Sequence, residues 1–157
     1  MLKISIIYYS RTGNTELMAK AVKEGAESAG AEAFLKKAEK ASAEDVLNYD
    51  AVVFGSPNHF GYMAGAIQTV LEDCFVELKD EDAVKPYAVF ASAGTRGGKV
   101  VIDNIERICD GFGQKFGKFK FQKVAEGVAT PETESNHKLS SEVLEKCRQL
   151  GKKIASL

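Results

Sequence analysis

The residues best suited to chemistry lie in three short stretches rich in glycine and in neutral hydrogen-bond donors. They are SRTGNT (10–15, loop one), SPNHFGYMAG (56–65, loop two) and SAGTRGG (92–98, loop three). Their hydroxyl, amide and backbone N–H groups can hold an anion or the polar edge of a ring. No spacing of serine, histidine and aspartate suggests a nucleophile with its base. These residues therefore favour binding over covalent catalysis.

Loop one has the composition of a phosphate site. Gly13 lets the backbone approach a ligand closely. Further donors come from its neighbours Ser10, Thr12, Asn14 and Thr15. A helix is expected to start here, and the roughly half positive charge at a helix N-terminus lets neutral donors bind a phosphate without a lysine. The alternative is a helix start that these side chains simply cap.

Apolar, β-branched runs alternate with segments of helical period along the chain. The strand-like runs are residues 3–9, 31–35, 50–56, 87–93 and 123–129. The helical segments are residues 14–29, 42–49, 66–78, 100–112 and 140–157. Ser42 is the expected cap of the short second helix, with Asp45 three residues later. This order predicts one domain over residues 1–157.

The alternation also predicts the fold class: an α/β fold with a doubly wound five-stranded parallel sheet in order 2-1-3-4-5 and helices on both faces. In such a sheet all three loops follow the carboxyl ends of strands. They therefore converge on the crevice where ligands bind in folds of this type.

The helical segments carry apolar stripes that predict the core. On the first helix the stripe is Leu17, Met18, Ala21, Val22 and Gly25, and on the third it is Ile67, Val70, Leu71, Cys74, Phe75 and Leu78. The three cysteines, Cys74, Cys109 and Cys147, fall on such stripes and are far apart, which indicates buried thiols. With His59 and His137 they form no recognised zinc spacing, so no metal site is expected.

Charge and hydropathy narrow the classes of partner. Basic residues number 21 and acidic residues 22, which gives a net charge of -1. No overall field therefore draws the chain to nucleic acid or to a membrane surface. The apolar run at residues 4–9 is too short to span a bilayer and is not followed by a signal-peptide cleavage site. We expect a cytoplasmic protein.

The stretch IIYYSRTGNTELMAKAV (6–22) resembles the phosphate loop of flavodoxins. The matching positions are Ile6, Ile7, Tyr8, Ser10, Gly13, Thr15, Ala19 and Val22. Loops two and three are similar to the other two flavin loops of this superfamily, as found in stand-alone flavodoxin domains and in quinone oxidoreductases related to the tryptophan-repressor-binding protein. The resemblance implies a flavodoxin-like fold and non-covalent FMN, with the phosphate in loop one and the isoalloxazine between loops two and three.

The FMN-binding residues expected from this resemblance span all three loops. They are Ser10, Arg11, Thr12, Gly13, Asn14, Thr15, Ser56, Pro57, Asn58, His59, Phe60, Gly61, Ser92, Ala93, Gly94, Thr95, Arg96, Gly97 and Gly98. Among the flat side chains of loop two, Phe60 is the preferred ring contact. Gly61 allows a peptide to turn toward the N5 edge of the ring, as flavodoxins imply. Tyr62 could equally pack on its own helix start or at a dimer contact.

Two departures from flavodoxins keep a second function open. Loop three has no tyrosine to stack on the flavin, and Arg11, Arg96 and Lys99 make the loops mildly basic, whereas flavodoxins are commonly acidic. The favoured hypothesis is a low-potential electron carrier that serves redox partner proteins or small acceptors such as quinones. The alternative is an NAD(P)H-dependent quinone or small-molecule reductase that uses the same FMN. Either could be a monomer or a small homo-oligomer.

Other phosphate-binding classes fit the sequence less well. The stretch AGTRGGKV (93–100) approaches the Walker pattern, but Val100 replaces the hydroxyl that would ligate magnesium. The Rossmann glycine triplet is absent after the first strand. A phosphoryl-accepting receiver domain needs an aspartate where Ser56 stands, and a small tyrosine phosphatase needs a cysteine in loop one. We therefore set aside nucleotide hydrolysis and phosphoryl transfer.

Overall fold

The computed structural model describes residues 1–93, 96–114, 117–131 and 138–157. The strands are β1 Lys3–Tyr8, β2 Glu32–Lys37, β3 Ala51–Pro57, β4 Val84–Ser92, β5 Lys120–Lys123 and β6 Val128–Ala129. The helices are α1 Asn14–Ser28, α2 Glu44–Leu47, α3 Gly65–Leu78, α4 Lys99–Gly111 and α5 Ser141–Ala155, and a 3-10 turn spans Ala38–Lys40. Strand and helix alternate as their apolar periods predict.

The strands form a parallel sheet in the order β2-β1-β3-β4-β5, and β6 also pairs with β4. β1 and β3 occupy the centre, where Ile7 faces Phe54 across the ladder. Residues 51–56 of β3 are all buried, as expected for a strand that is covered on both faces. The predicted fold class and strand order are confirmed.

Each face of the sheet has its own apolar core, because successive side chains of a strand point to opposite faces. Ile6 packs in a cluster with residues of α1 and α5, such as Val22 and Ile154. Ile7 belongs to the opposite cluster, which α3 and α4 cover. The three cysteines are buried and unpaired in these cores, as predicted.

Helices α1 and α5 approach each other through glycines. A Cβ atom added at Gly25 would collide with the backbone carbonyl of Arg148, and one added at Gly151 would collide with that of Val22. An ion pair between Arg148 Nε and Glu24 Oε2, at 3.0 Å, flanks this contact. The absence of side chains at the two glycines thus lets the two helix backbones touch.

The fifth strand differs from the expected run at 123–129. Tyr87 of β4 pairs with Lys123, and Phe90 of β4 pairs with Val128. The two positions are three residues apart on β4 but five residues apart on the facing chain. Two extra residues therefore bulge out and divide the strand into β5 and β6. Apolar alternation cannot reveal such a bulge, because it does not record what lies opposite each residue.

The short helix and two stripe positions also differ from expectation. Ser42 does not cap α2, whose N-cap position is Ala43. Instead, Asp45 Oδ2 accepts a hydrogen bond from the Ser42 backbone N–H at 2.9 Å. Leu17 and Phe75 lie on their predicted stripes but are exposed, at 49% and 39%, because those stripes are wider than the surface that each helix buries.

Within the described ranges, none of the helices is long and apolar enough to cross a membrane.

Candidate cofactor site

Loop one is organised by the side chain of Ser10. Its Oγ accepts hydrogen bonds from the backbone N–H groups of Gly13, at 3.1 Å, and of Glu16, at 3.2 Å. The chain can turn this way because Gly13 has a φ of 105°, in the left-handed region that favours glycine. Since a hydroxyl has two acceptor sites and one proton, the proton of Ser10 is available to a third group.

A pair of buried hydroxyls joins loop one to loop three. Thr15 Oγ1 lies 2.7 Å from Ser92 Oγ, and the two residues are 2% and 5% exposed. One of them donates to the other, so each hydroxyl has a partner away from water. The start of α1 is thereby tied to the end of β4.

The base of loop two is closed by Ser56, which is fully buried. Its hydroxyl donates to the carbonyl of Pro57 and accepts the backbone N–H of Ala64, each at 2.8 Å. The hydroxyl of Ser56 therefore braces the loop from within.

Asn58 connects loop two to loop three. Its backbone N–H donates to the Ser92 carbonyl at 2.8 Å, and its Nδ2 donates to the Gly97 carbonyl at 3.1 Å. Its Oδ1 accepts the Gly61 N–H at 2.7 Å. One residue thus contacts both ends of loop three and the tip of loop two.

The tip of loop two is a tight reversal. His59 and Tyr62 exchange backbone hydrogen bonds of 2.8 and 3.0 Å, and the two residues between them have positive φ, 57° at Phe60 and 81° at Gly61. Positive φ at both central positions is the mark of a type I′ turn. The Phe60 side chain is fully exposed, whereas the His59 ring packs edge-on against Tyr9, with 5.7 Å between ring centroids.

Loop three is held by Thr130, a residue outside the three predicted loops. Thr130 Oγ1 accepts the Ala93 N–H at 2.8 Å, and its carbonyl accepts the Gly98 N–H at 3.0 Å. Thr130 is 2% exposed. Thr130 comes just after the fifth predicted strand and therefore at the carboxyl edge of the sheet. That position is the feature of the sequence that could have indicated a role at the site. Of the predicted residues in this loop, Gly94 and Thr95 lie outside the described residues.

The arrangement is that of a known family. A model described as Flavodoxin matches residues 6–142. The chain belongs to the flavodoxin family. A flavodoxin from Aquifex aeolicus (strain VF5) is 34% identical over 166 aligned residues, which cover 99% of this chain and 86% of that protein. Like other flavodoxins, this chain is an FMN-binding electron-transfer protein.

Solved structures show the same fold at low sequence identity. A flavodoxin from the domain Archaea superposes with a TM-score of 0.78 at 20% identity, covering 99% of this chain and 97% of its own. The flavodoxin of Streptococcus pneumoniae TIGR4 gives a TM-score of 0.74 at 20% identity, covering 98% of each chain. The sheet order found here is therefore that of complete flavodoxins.

The charges around the site of this flavodoxin are mixed. Arg11 and Arg96 are exposed, whereas Lys99 Nζ pairs with Asp103 at 2.9 Å, a bond that raises the pKa of the lysine. Glu81 and Asp82 lie just before β4 and therefore at the opposite edge of the sheet. These two carboxylates are thus remote from the three loops.

A polar pocket of about 310 Å³ adjoins loop one on the β2 side. Arg11 and Lys37 line it together with Glu16 and Glu39, so positive and negative side chains are balanced. At its wall the Tyr8 hydroxyl donates to Glu16 Oε1 at 3.0 Å. Burial, and then this bond, raises the pKa of Tyr8 to about 12, so the phenol is neutral at ordinary pH.

The donor set of the described loops fits FMN. Loop one offers the Ser10 proton, the exposed Thr12 and an uncrowded backbone at Gly13, around which an added Cβ would meet nothing within 4 Å. Such neutral donors at a helix N-terminus suit a phosphate. Loops two and three offer an exposed aromatic ring at Phe60 and buried backbone at Gly97, which suit a flat, apolar ring with a polar edge.

Proposed function

We propose that the three loops hold FMN with its phosphate at loop one and its isoalloxazine between loops two and three, and that the chain carries electrons between redox partner proteins. One observation carries this assignment: direct hydrogen bonds join the loops into a single frame, from Thr15 to Ser92 and from Asn58 to Gly97. A frame that is fixed before the ligand binds loses little conformational entropy on binding.

Loop one acts as the phosphate anchor. Ser10 holds the loop open through its two accepted bonds, so its own proton and the Thr12 hydroxyl can point at the ligand. The backbone N–H groups at the start of α1 add a positive field without a cation. Arg11 and Asn14 complete the proposed anchor.

Loops two and three act as the ring site. Phe60 offers an aromatic face, and the backbone from His59 to Gly61 offers polar groups at the ring edge. In loop three the proposed contacts are Ser92, Ala93, Gly94, Thr95, Arg96, Gly97 and Gly98. FMN supplies the redox chemistry when it is bound; the protein orients it and excludes water from its buried edge.

The finer features of this function are part of the proposal. We propose a monomer or small homo-oligomer that works in the cytoplasm, where three unpaired cysteines are in keeping with a reducing compartment. Small acceptors such as quinones could reach the exposed face at Phe60, the feature that favours the reductase alternative. The alternative requires that the same site also accept hydride from NAD(P)H.

The phosphate anchor is tested by replacing Thr12 with alanine, because the Thr15 hydroxyl is already bound to Ser92. Loss of the Thr12 hydrogen bond to a charged group weakens FMN binding by roughly 1.5–3 kcal/mol. Titration of the apoprotein with FMN and with riboflavin, followed by flavin fluorescence, checks this. Riboflavin lacks the phosphate and controls for damage to the loop, so equal losses for the two ligands contradict the anchor.

The choice between carrier and reductase is tested by steady-state turnover. Purified protein loaded with FMN is mixed with NADH or NADPH and a benzoquinone, with free FMN as the control. A carrier gives no rate above free FMN. A clear rate that saturates with the nicotinamide would replace the carrier by the reductase.

A further inference from the structure

A groove runs between helices α3 and α4 on the outer surface of the molecule. The two helices cover the same face of the sheet, and the groove between them has a volume of about 450 Å³. That volume can receive several large apolar side chains. Most of the residues that line the groove are apolar: Leu71, Phe75 and Val76 from α3, and Ile108, Gly111 and Phe112 from α4.

The walls of the groove are open to solvent. The Val76 side chain is 69% exposed, and the rings of Phe75 and Phe112 meet edge-on with 6.1 Å between their centroids. The lining positions recur at spacings of three and four residues on each helix, so they form two ridges with a furrow between them. A small ligand in this furrow would leave Val76 in water, whereas a third helix laid along it would cover both ridges.

The apolar part of the groove lies away from the three loops. Helix α3 begins directly after loop two, and α4 begins directly after loop three. Phe75 and Val76 belong to the last turn of α3, and Gly111 is the last residue of α4. An occupant of the groove therefore sits toward the far ends of both helices and leaves the proposed cofactor site uncovered.

The charge beside the groove indicates what kind of occupant fits. Residues 72–82 hold six carboxylates and one lysine, a net charge of -5, whereas the whole chain has a net charge of -1. Glu72 is itself part of the groove wall. On α4 the exposed Arg107 and Asp110 offset each other. A second copy would set the same acidic residues against themselves across a two-fold interface, so the field disfavours self-association and favours a basic partner.

We propose that the groove between α3 and α4 binds a basic amphipathic helix of a partner protein. Such a helix places apolar side chains on one face, where they enter the furrow, and lysine or arginine side chains on its flanks, where they meet the acidic residues of 72–82. The contact involves none of the three loops. It is therefore independent of FMN and separate from docking over the cofactor.

The probe is a fluorescent peptide of about 18 residues, or five helical turns, with leucine on one face and lysine elsewhere. One control peptide has the same composition in scrambled order, and the other has glutamate in place of lysine. Fluorescence anisotropy should show that the apoprotein binds the first peptide at least tenfold more tightly than either control. Equal binding of the scrambled peptide would reduce the interaction to unspecific charge attraction and overturn the proposal.

Two variants test the groove, each with a matched control. Gly111→Leu fills it, and an added Cβ at Gly111 meets nothing within 4 Å; Gly65→Leu is the control, since its surroundings are equally open but it does not line the groove. Glu72→Lys reverses a charge in the groove wall, and Glu142→Lys makes the same change on α5, whose core lies on the other face of the sheet.

Gly111→Leu and Glu72→Lys should each weaken binding of the first peptide at least tenfold, and the two controls should leave it unchanged. Thermal unfolding checks that every variant is folded. Unchanged binding in either groove variant overturns the proposal.

Amide chemical shifts of the wild type locate the peptide without any variant. Shifts should centre on Val76 and Gly111 and be the same in the apoprotein and in the FMN-loaded protein. Shifts that centre on the three loops, or binding that requires FMN, would assign the peptide to the cofactor site and overturn the proposal. Shifts at the groove that grow with protein concentration alone would identify a second copy as the occupant and also overturn it. An apoprotein that takes up no FMN contradicts the proposed function and leaves this test intact.

Discussion

Loops one and two follow neighbouring strands, but they reach their tight turns by opposite means. Loop one places a glycine, Gly13, where φ is 105°, and its own Ser10 satisfies two backbone N–H groups. Loop two places a phenylalanine, Phe60, where φ is 57°, and relies on Asn58 for a bond. In loop one the left-handed conformation falls on a glycine, the residue that favours it. At the tip of loop two it falls on a phenylalanine, which disfavours it.

The difference is the one expected if the tip of loop two is kept for function rather than for stability. A strained, fully exposed aromatic residue contributes little to folding, so its presence requires another reason. In the proposed function, contact with the cofactor ring or with a redox partner is that reason for Phe60. Loop one, by contrast, would serve folding and the proposed phosphate binding with the same residues. Substitutions in the two loops should therefore change stability in opposite directions.

The largest expected effect is that of Ser10→Ala. The backbone N–H groups of Gly13 and Glu16 lose their acceptor, and by analogy with helix caps the free energy of unfolding should fall by about 2 kcal/mol. Urea denaturation of the apoprotein measures this. Ser42→Ala is the control, because that hydroxyl makes only a 3.4 Å contact with Asp45 on the surface, and it should change stability by less than about 0.5 kcal/mol.

Gly13→Ala should follow, with a loss of about 1–2 kcal/mol, because a Cβ in the left-handed region is disfavoured. The space around Gly13 is open, so the cost is one of backbone conformation alone. Gly65→Ala is the matched control, since the space there is also open and its φ is not positive. Denaturation midpoints that fall equally in both variants would disprove the conformational explanation.

Phe60→Asn should act in the opposite direction and stabilise the apoprotein by about 1 kcal/mol, because asparagine tolerates the left-handed region and Asn-Gly suits this turn. FMN should bind more weakly by about 0.5–1.5 kcal/mol, the value of an aromatic contact. Thermal unfolding and FMN titration on one preparation check both signs. A destabilised apoprotein would mean that loop two is not strained in solution.

The smallest effect concerns Tyr8, beside loop one. Tyr8→Phe loses the bond to Glu16 and should cost about 1 kcal/mol at pH 7. The folded state raises the pKa of Tyr8 from 10.0 to about 12, so its contribution is complete below pH 10 and is lost as the pH rises to 12. Urea denaturation from pH 7 to 12 should therefore show the stabilities of variant and wild type converging, and parallel curves would exclude this titration.

The sequence was sufficient for the fold, and the site that it predicts stays a prediction. Apolar period separates strands from helices, and parallel connections place all three loops at one edge. The apolar stripes also predict which side of each helix is buried. The exception is a stripe that is wider than the surface that its helix buries, as at Leu17. These features depend on local pattern, which a single chain displays.

The hydrogen bonds within the site could not be predicted from the sequence. They depend on which strands are neighbours and at what register they pair. Examples are the bond between Thr15 and Ser92, the bond from Ser56 to Pro57 and the bond by which Thr130 holds loop three. The two-residue bulge between β5 and β6 determines where Thr130 lies relative to β4. The apolar pattern of the sequence does not reveal this bulge. Long-range pairing is the information that sequence periodicity lacks.

The glycine contact between α1 and α5 makes loop one sensitive to a distant part of the chain. Helix α1 begins at loop one and packs against α5 at Gly151, more than a hundred residues later. A side chain at Gly25 or Gly151 would push the two helix backbones apart and so displace the helix start to which loop one is joined. Neither glycine lies in a loop of the proposed site, yet both help to set where that site's first loop stands.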